Sequence, residues 1–266
     1  MTWICAASTV YGYGVLYSDV QVTFRSTHKT EDLIQKAYPI SNFLAAGFSG
    51  SVRIGFGLVN SLQDSLRMPA DARETQAWEP KWVSEKWAPS AKSLFDHAPR
   101  VERDVKGTGI LLVGVSPTET CGLGAKVYIT RFCAPDFRPQ IMSRPVQSFS
   151  IGSGAKVAEY KRRVKPLLRL TSGIMQAEVM NPGGWARQLG FSISRALADH
   201  PRDGISKHLH YVIIQRGSIA VETNDENIYP REGPAIEIRM PVVAQSYEQF
   251  QQLAKSFGHE AAGAAC

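Results

Sequence analysis

Asn42-Phe43-Leu44-Ala45-Ala46-Gly47-Phe48-Ser49-Gly50-Ser51 passes from an almost wholly apolar segment directly into a turn of small residues. A short apolar run without polar alternation reads as a strand covered on both faces, and so as a central one. Ser49-Gly50-Ser51 then opens a helix, because Val52, Phe56, Val59, Leu62 and Leu66 recur at helical spacing until Pro69. A buried strand that turns at once into a helix fixes the frame for the chain on either side.

Upstream, residues 2–8 are apolar and β-prone, Tyr11-Gly12-Tyr13-Gly14 reads as a turn, and Val15 to Asp19 as a strand. Gln35 to Ile40 reads as one more strand. Downstream lies a Pro-containing stretch with Trp78, Trp82 and Trp87, a stripe expected to pack a helix on a core or a subunit contact. Strands are predicted over 109–115, 126–132 and 146–151, and Gly152-Ser153-Gly154 opens another helix. A helix over 185–199 carries Leu189, Ile193 and Leu197 on one face. Leu209 to Gln215 and Ser218 to Glu222 flank Arg216-Gly217, a hairpin signal. The order strands, helices, strands, helices, strands predicts an α+β fold, a sandwich of two antiparallel sheets flanked by helices, in a single domain over 1–266.

The chain has 266 residues, 44% of them hydrophobic and 20% charged, the profile of a globular protein. No apolar run reaches the roughly 18 residues of a membrane span. Met1-Thr2-Trp3-Ile4-Cys5 lacks a basic segment followed by an apolar one, so a cytoplasmic location without membrane contact is expected. The cysteines (Cys5, Cys121, Cys133, Cys266) show no metal-ligand spacing and read as free thiols, Cys5 in the core and Cys266 exposed on an Ala/Gly-rich tail. The net charge is +6, and its densest run, Lys156 to Lys165, reads as a solvated helix face rather than a nucleic-acid patch.

Cofactor motifs are weak. Gly12-Tyr13-Gly14, Gly55-Phe56-Gly57 and Gly122-Leu123-Gly124 are bare GxG triplets, and Gly152-Ser153-Gly154-Ala155-Lys156 lacks the rest of a phosphate loop. His208 and His210 alternate on a strand without a third ligand nearby. No metal or organic cofactor is expected. Met1 precedes a small residue, so its removal would leave Thr2 with a free α-amine beside its own hydroxyl. An α-amine titrates near about 7.7–8.0 and can take the hydroxyl proton during attack on a carbonyl.

Thr2-Trp3-Ile4, Gly14 to Asp19, Gln35-Lys36-Ala37 and Leu44 to Ser51 together resemble the proteasome β-subunit family of N-terminal nucleophile hydrolases, closest to its bacterial HslV-type peptidases and their relatives. Ser150-Ile151-Gly152-Ser153-Gly154 is similar to the family's G-S-G turn, and Arg202-Asp203-Gly204-Ile205-Ser206 to its R-D-x-x-S element. The likeness is strong over 2–66, moderate over 107–155 and 203–222, and poor elsewhere. The Asp19 and Lys36 intervals are each about one residue longer than the family's.

The resemblance implies a four-layer αββα sandwich. It implies Thr2 as nucleophile, Lys36 favouring its alkoxide, Asp19 holding Lys36, and the Gly50 N–H as oxyanion donor. Ser153, Asp203 and Ser206 would surround the Thr2 amine, and Phe48 reads equally as pocket wall or core. It also implies a polypeptide substrate, a homo-oligomeric double ring and an ATP-dependent unfoldase partner. The absence of a helix before the first strand favours the β type. A helical insertion over 69–106, a longer stretch over 171–184 and a C-terminal extension over 228–266 are expected to alter ring contacts or cover the site. A catalytically silent ring subunit and a small-amide hydrolase on the same fold are the alternatives.

Overall fold

The computed structural model describes residues 2–66, 79–167, 172–181 and 183–266. Strands β1 (Ile4–Ser8), β2 (Gly14–Asp19), β3 (Gln21–Thr23), β4 (Thr30–Asp32), β5 (Ala37–Ser41) and β6 (Leu44–Ser49) lead into helix α1 (Val52–Ser65). Helices α2 (Pro80–Lys86), α3 (Ala88–His97) and α4 (Arg100–Arg103) precede β7 (Gly109–Cys121), β8 (Gly124–Cys133), β9 (Gln140–Met142) and β10 (Gln147–Ile151). Then come α5 (Ala158–Leu167), α6 (Ser172–Met180) and α7 (Gly184–Asp199). Strands β11 (Leu209–Gln215), β12 (Ser218–Thr223), β13 (Glu226–Ile228) and β14 (Ile236–Ile238) precede α8 (Tyr247–Ser256).

The chain is α+β. Two five-stranded antiparallel sheets, β10-β1-β2-β11-β12 and β5-β6-β7-β8-β9, stand beside the hairpins β3-β4 and β13-β14. Side-chain alternation sorts the strands into three cores. Ile4, Ala6 and Leu16 from one sheet meet Ala45, Leu111 and Val113 from the other. The opposite faces of β1 and β2, with Cys5, Ala7 and Tyr17, pack on Trp185, Leu189 and Ile193 of α7 and on Tyr160 of α5. Leu44, Ala46 and Phe48 of β6 turn outward to α1, α3 and α8.

β6 pairs β5 and β7 and is buried at every residue, because one face meets the other sheet and the opposite face meets the helices, which is why its sequence shows no alternation. Ser51 caps α1, its Oγ accepting from the Ile54 N–H at 3.1 Å. The β3-β4 hairpin escapes the sequence reading because three-residue strands carry too little pattern. The strand expected from Gln35 begins only at Ala37; Lys36 precedes it, its carbonyl accepting from the Phe48 N–H at 3.2 Å.

Trp78 and Pro69 fall outside the described residues. The other two tryptophans do not share a face: Trp87 is buried edge-on to Phe132, whereas Trp82 is exposed. Among the described residues no helix is long and apolar enough to cross a membrane.

His210, on β11, is 8% exposed, and its Nδ1 has no hydrogen-bond partner among the described residues. Burial lowers its pKa from the ordinary 6.5 to about 4, against an opposing pull from Asp225. The unfolded chain therefore binds this proton first as pH falls, so stability is full above pH 6.5 and is lost towards pH 4. A loss approaching about 3 kcal/mol is expected across that window. Urea melts of the wild type and His210→Gln at both pH values read it; the variant should show a flatter profile.

Candidate active site

The first strand delivers Thr2, β2 ends on Asp19, and Lys36 rises from the bend before β5. All three are fully buried. Lys36 Nζ donates to Thr2 Oγ1 at 2.8 Å, to Asp19 Oδ1 at 2.7 Å and to the Gln21 carbonyl at 2.6 Å. An ammonium has three N–H donors, and all three are used here. Because Lys36 can only donate, the Thr2 hydroxyl hydrogen points the other way, to Asp19 Oδ2 at 2.5 Å. Asp19 also accepts from the Trp3 N–H at 2.6 Å and the Gln21 N–H at 2.9 Å. The buried charges are therefore paired and fully hydrogen-bonded, the condition under which burial is tolerated.

Ser153 closes the other side. The Thr2 backbone N–H donates to Ser153 Oγ at 3.1 Å, and the Thr2 carbonyl accepts from the Gly154 N–H at 2.9 Å. Gly152 makes this approach possible: at φ +81°, a Cβ on it would lie 2.4 Å from the Thr2 carbonyl oxygen. The expected helix at the G-S-G turn is a 3-10 turn over Ser153–Lys156, with α5 starting two residues later.

Gly50 sits at φ +86° between β6 and the Ser51 cap. Its N–H donates to the Cys266 carbonyl at 2.9 Å, and the Ser51 N–H donates to Thr108 Oγ1 at 3.0 Å. Glu102, 1% exposed, braces this corner by accepting from Ser51 Oγ at 2.7 Å and from the Gly263 N–H at 2.9 Å.

Thr2, Asp19, Lys36 and Ser153 are thus brought into direct contact, with Gly50 at the same end of the sheets. Asp203 and Ser206 are not. Asp203 is exposed, and among the described residues neither bonds to Thr2. Ser206 instead donates to Asp32 Oδ2 at 2.8 Å, and His208 Nδ1 lies 2.6 Å from the same oxygen. Burial raises the Asp32 pKa, but bonds from His208 and Ser206 outweigh it and leave the carboxyl below its usual range. Phe48 belongs to the core, stacked on Tyr38 and tilted against Phe56, and is no pocket wall.

A cavity of about 920 Å³ opens over Thr2 and Ser153. Lys106, Arg131, Lys156, Lys161 and Lys165 line it, and its lining includes no Asp or Glu. None of the five basic groups forms an ion pair among the described residues. Arg131 does lie over the Phe149 ring at 4.5 Å. The basic run on α5 is solvated as expected at Lys161, Arg162 and Lys165, but two of those lysines face this cavity.

Cys266 departs from its expected exposure: it is buried and shares the cavity wall with Ala265. Burial pushes the Cys5 and Cys266 thiols up to about 11, away from the reactive thiolate. Among the described residues no group of three His, Cys, Asp or Glu side chains is placed to hold a metal.

Residues the sequence did not flag complete the site. Gln21 serves both charges through its main chain, while Thr108 and Glu102 fix the Gly50 turn. Gln21 and Thr108 act through main-chain or hydroxyl groups that many residue types could supply, and Glu102 resembles any polar helix residue, so pattern gave no signal. No family model and no curated protein matches this chain.

Proposed function

We propose that this chain is a threonine-type peptidase that uses Thr2 as an N-terminal nucleophile once Met1 is removed. The observation that carries the reading is the Thr2 hydroxyl held between a buried Lys36 ammonium and a buried Asp19 carboxylate at the floor of a cavity. The packing of both sheets between outer helices supports the four-layer αββα arrangement of N-terminal nucleophile hydrolases.

In the proposed reaction Thr2 Oγ1 attacks a peptide carbonyl and its proton passes to the freed α-amine, which Ser153 Oγ holds in place. Asp19 holds the Thr2 hydroxyl and the Lys36 ammonium in register through its four hydrogen bonds. Lys36 stabilises the developing alkoxide by its charge. The Gly50 N–H takes the oxyanion of the tetrahedral intermediate, the amine returns the proton to the leaving nitrogen, and water then hydrolyses the acyl-enzyme. Asp203 and Ser206 have no part in this scheme.

Intact mass of the purified protein should show Met1 absent. Thr2→Ala should then lower hydrolysis of fluorogenic peptides by at least about 10³-fold. Retention of Met1 in an active preparation would sink the proposal.

The five basic groups on the cavity rim favour polypeptides with acidic side chains near the cleaved bond. Peptides carrying Glu should be cut about tenfold faster than their Gln counterparts at low salt, with the ratio shrinking as ionic strength rises. Lys161→Glu with Lys165→Glu should reverse the order. An unchanged ratio in that double variant would remove the rim from substrate choice.

Met180 and Phe191, exposed beside one another on α6 and α7, support contact with further copies, consistent with the proposed ring. An unfoldase partner and a cytoplasmic location are part of the same proposal. Light scattering of the wild type against Phe191→Glu reads the oligomer.

A further inference from the structure

Residues Ala264–Cys266 lie in the groove between β3 and the Gly50 turn. Ala265 makes antiparallel bridges on both sides, to Thr23 and to Ser51. Five main-chain hydrogen bonds hold the segment. The Thr23 N–H donates to the Ala265 carbonyl at 2.7 Å, and the Ala265 N–H returns to the Thr23 carbonyl at 3.0 Å. The Gly50 N–H donates to the Cys266 carbonyl at 2.9 Å, the Cys266 N–H to the Gly50 carbonyl at 2.8 Å, and the Val52 N–H to the Ala264 carbonyl at 3.1 Å. Such bonds recognise an extended backbone of nearly any sequence.

The placement matters more than the number of bonds. The Cys266 carbonyl takes the one N–H that the proposed chemistry needs for the oxyanion. Ala265 and Cys266 also share the cavity wall with Thr2 and Ser153. Gly263, immediately before the segment, is anchored through its N–H to the buried Glu102, which also bonds Ser51. The segment is thus docked to the turn that shapes the site, by contacts that involve no catalytic side chain.

We propose that residues 264–266 are an intramolecular occupant of the peptide-binding groove, closing it until they are displaced. The inference rests on the reading of this cleft as the place where a polypeptide is cut. A tethered segment competes at an effective concentration of order millimolar, so a free peptide at micromolar concentration is excluded while the segment stays docked. Its side chains, two alanines and a cysteine, are small, so main-chain bonding supplies most of its hold and a longer substrate with better side-chain contacts can displace it.

The test separates docking from catalysis. In a Thr2→Ala background, fluorescein-labelled Ala-Ala-Gly-Ala-Ala-Cys, kept reduced, is titrated against the full chain and a chain lacking residues 264–266, read by anisotropy. The shortened chain is expected to bind at least about tenfold more tightly. Ala265→Pro, which removes one donor and blocks the antiparallel pairing without shortening the chain, should shift binding the same way. Hydrogen exchange at Gly50 and Thr23 should quicken in both variants. Equal binding by all three chains, or exchange that does not change, overturns the proposal. With Thr2 intact, the shortened chain should also hydrolyse acidic peptides about tenfold faster. If binding and exchange respond but no form hydrolyses, the occupant is established and the peptidase reading fails instead.

Discussion

Replacing Lys36 by methionine is expected to abolish the proposed peptide hydrolysis and to lower unfolding free energy by about 3–5 kcal/mol. Methionine keeps most of the length and the apolar stem but supplies none of the three hydrogen bonds. The Gln21 carbonyl loses its donor, and Asp19 becomes a buried anion without a counter-charge. The stability loss follows from that orphaned charge rather than from lost packing. The catalytic loss has a separate origin: in the proposed reaction no cation would remain beside the Thr2 alkoxide, and a fall of at least about 10³-fold is expected.

Adding Asp19→Asn to Lys36→Met separates the two effects. The amide removes the unpaired charge and should restore part of the stability, as read by urea melts, while activity stays absent. A Lys36→Met protein that keeps more than a tenth of its activity would show that the ammonium is not needed for the chemistry.

What the sequence made legible, and what it did not, divides by whether a side chain or a main chain carries the information. Asp19 and Gly50 each punctuate an element with a clear apolar pattern, the end of β2 and the exit from β6, so their places are legible while their site roles rest on the family resemblance. Parity places Phe48: Leu44, Ala46 and Phe48 alternate together and face the outer helices. Ser206 sits in a short loop element whose family likeness does not fix its partner. Here Asp32, from a hairpin too short to read, takes its hydroxyl. The tail misled for the opposite reason. Ala-Ala-Gly-Ala-Ala has little apolar side chain to bury, so composition suggests solvent, whereas the burial of Ala264 and Cys266 comes from main-chain pairing that composition does not encode.

Gly50→Ala is the second substitution expected to act on both stability and chemistry, and here the backbone decides. At φ +86° any Cβ is strained, at a cost of about 1 kcal/mol. The added atom would also lie 2.2 Å from Thr108 Cα, 2.4 Å from Thr108 N and 2.5 Å from Thr108 Oγ1. Two of those three atoms are main chain immediately before β7, so relief requires the turn itself to move. A total cost of about 3 kcal/mol is expected.

Gly217→Ala is the control, because Gly217 has φ +88° in the β11–β12 hairpin with nothing within 4 Å of the added Cβ. It should cost only the strain of about 1 kcal/mol. The difference between the two variants measures the steric share at Gly50. Thr108→Ala in the Gly50→Ala background should recover little, since it removes Oγ1 but leaves Cα and N in place. Because the shifted turn would carry the Gly50 N–H away from the proposed oxyanion position, turnover in the proposed reaction should fall by about 10²–10³-fold at temperatures where the variant remains folded. If Thr108→Ala restores both stability and turnover, the clash is with a side chain, and the rigid main-chain turn assigned to this corner is wrong.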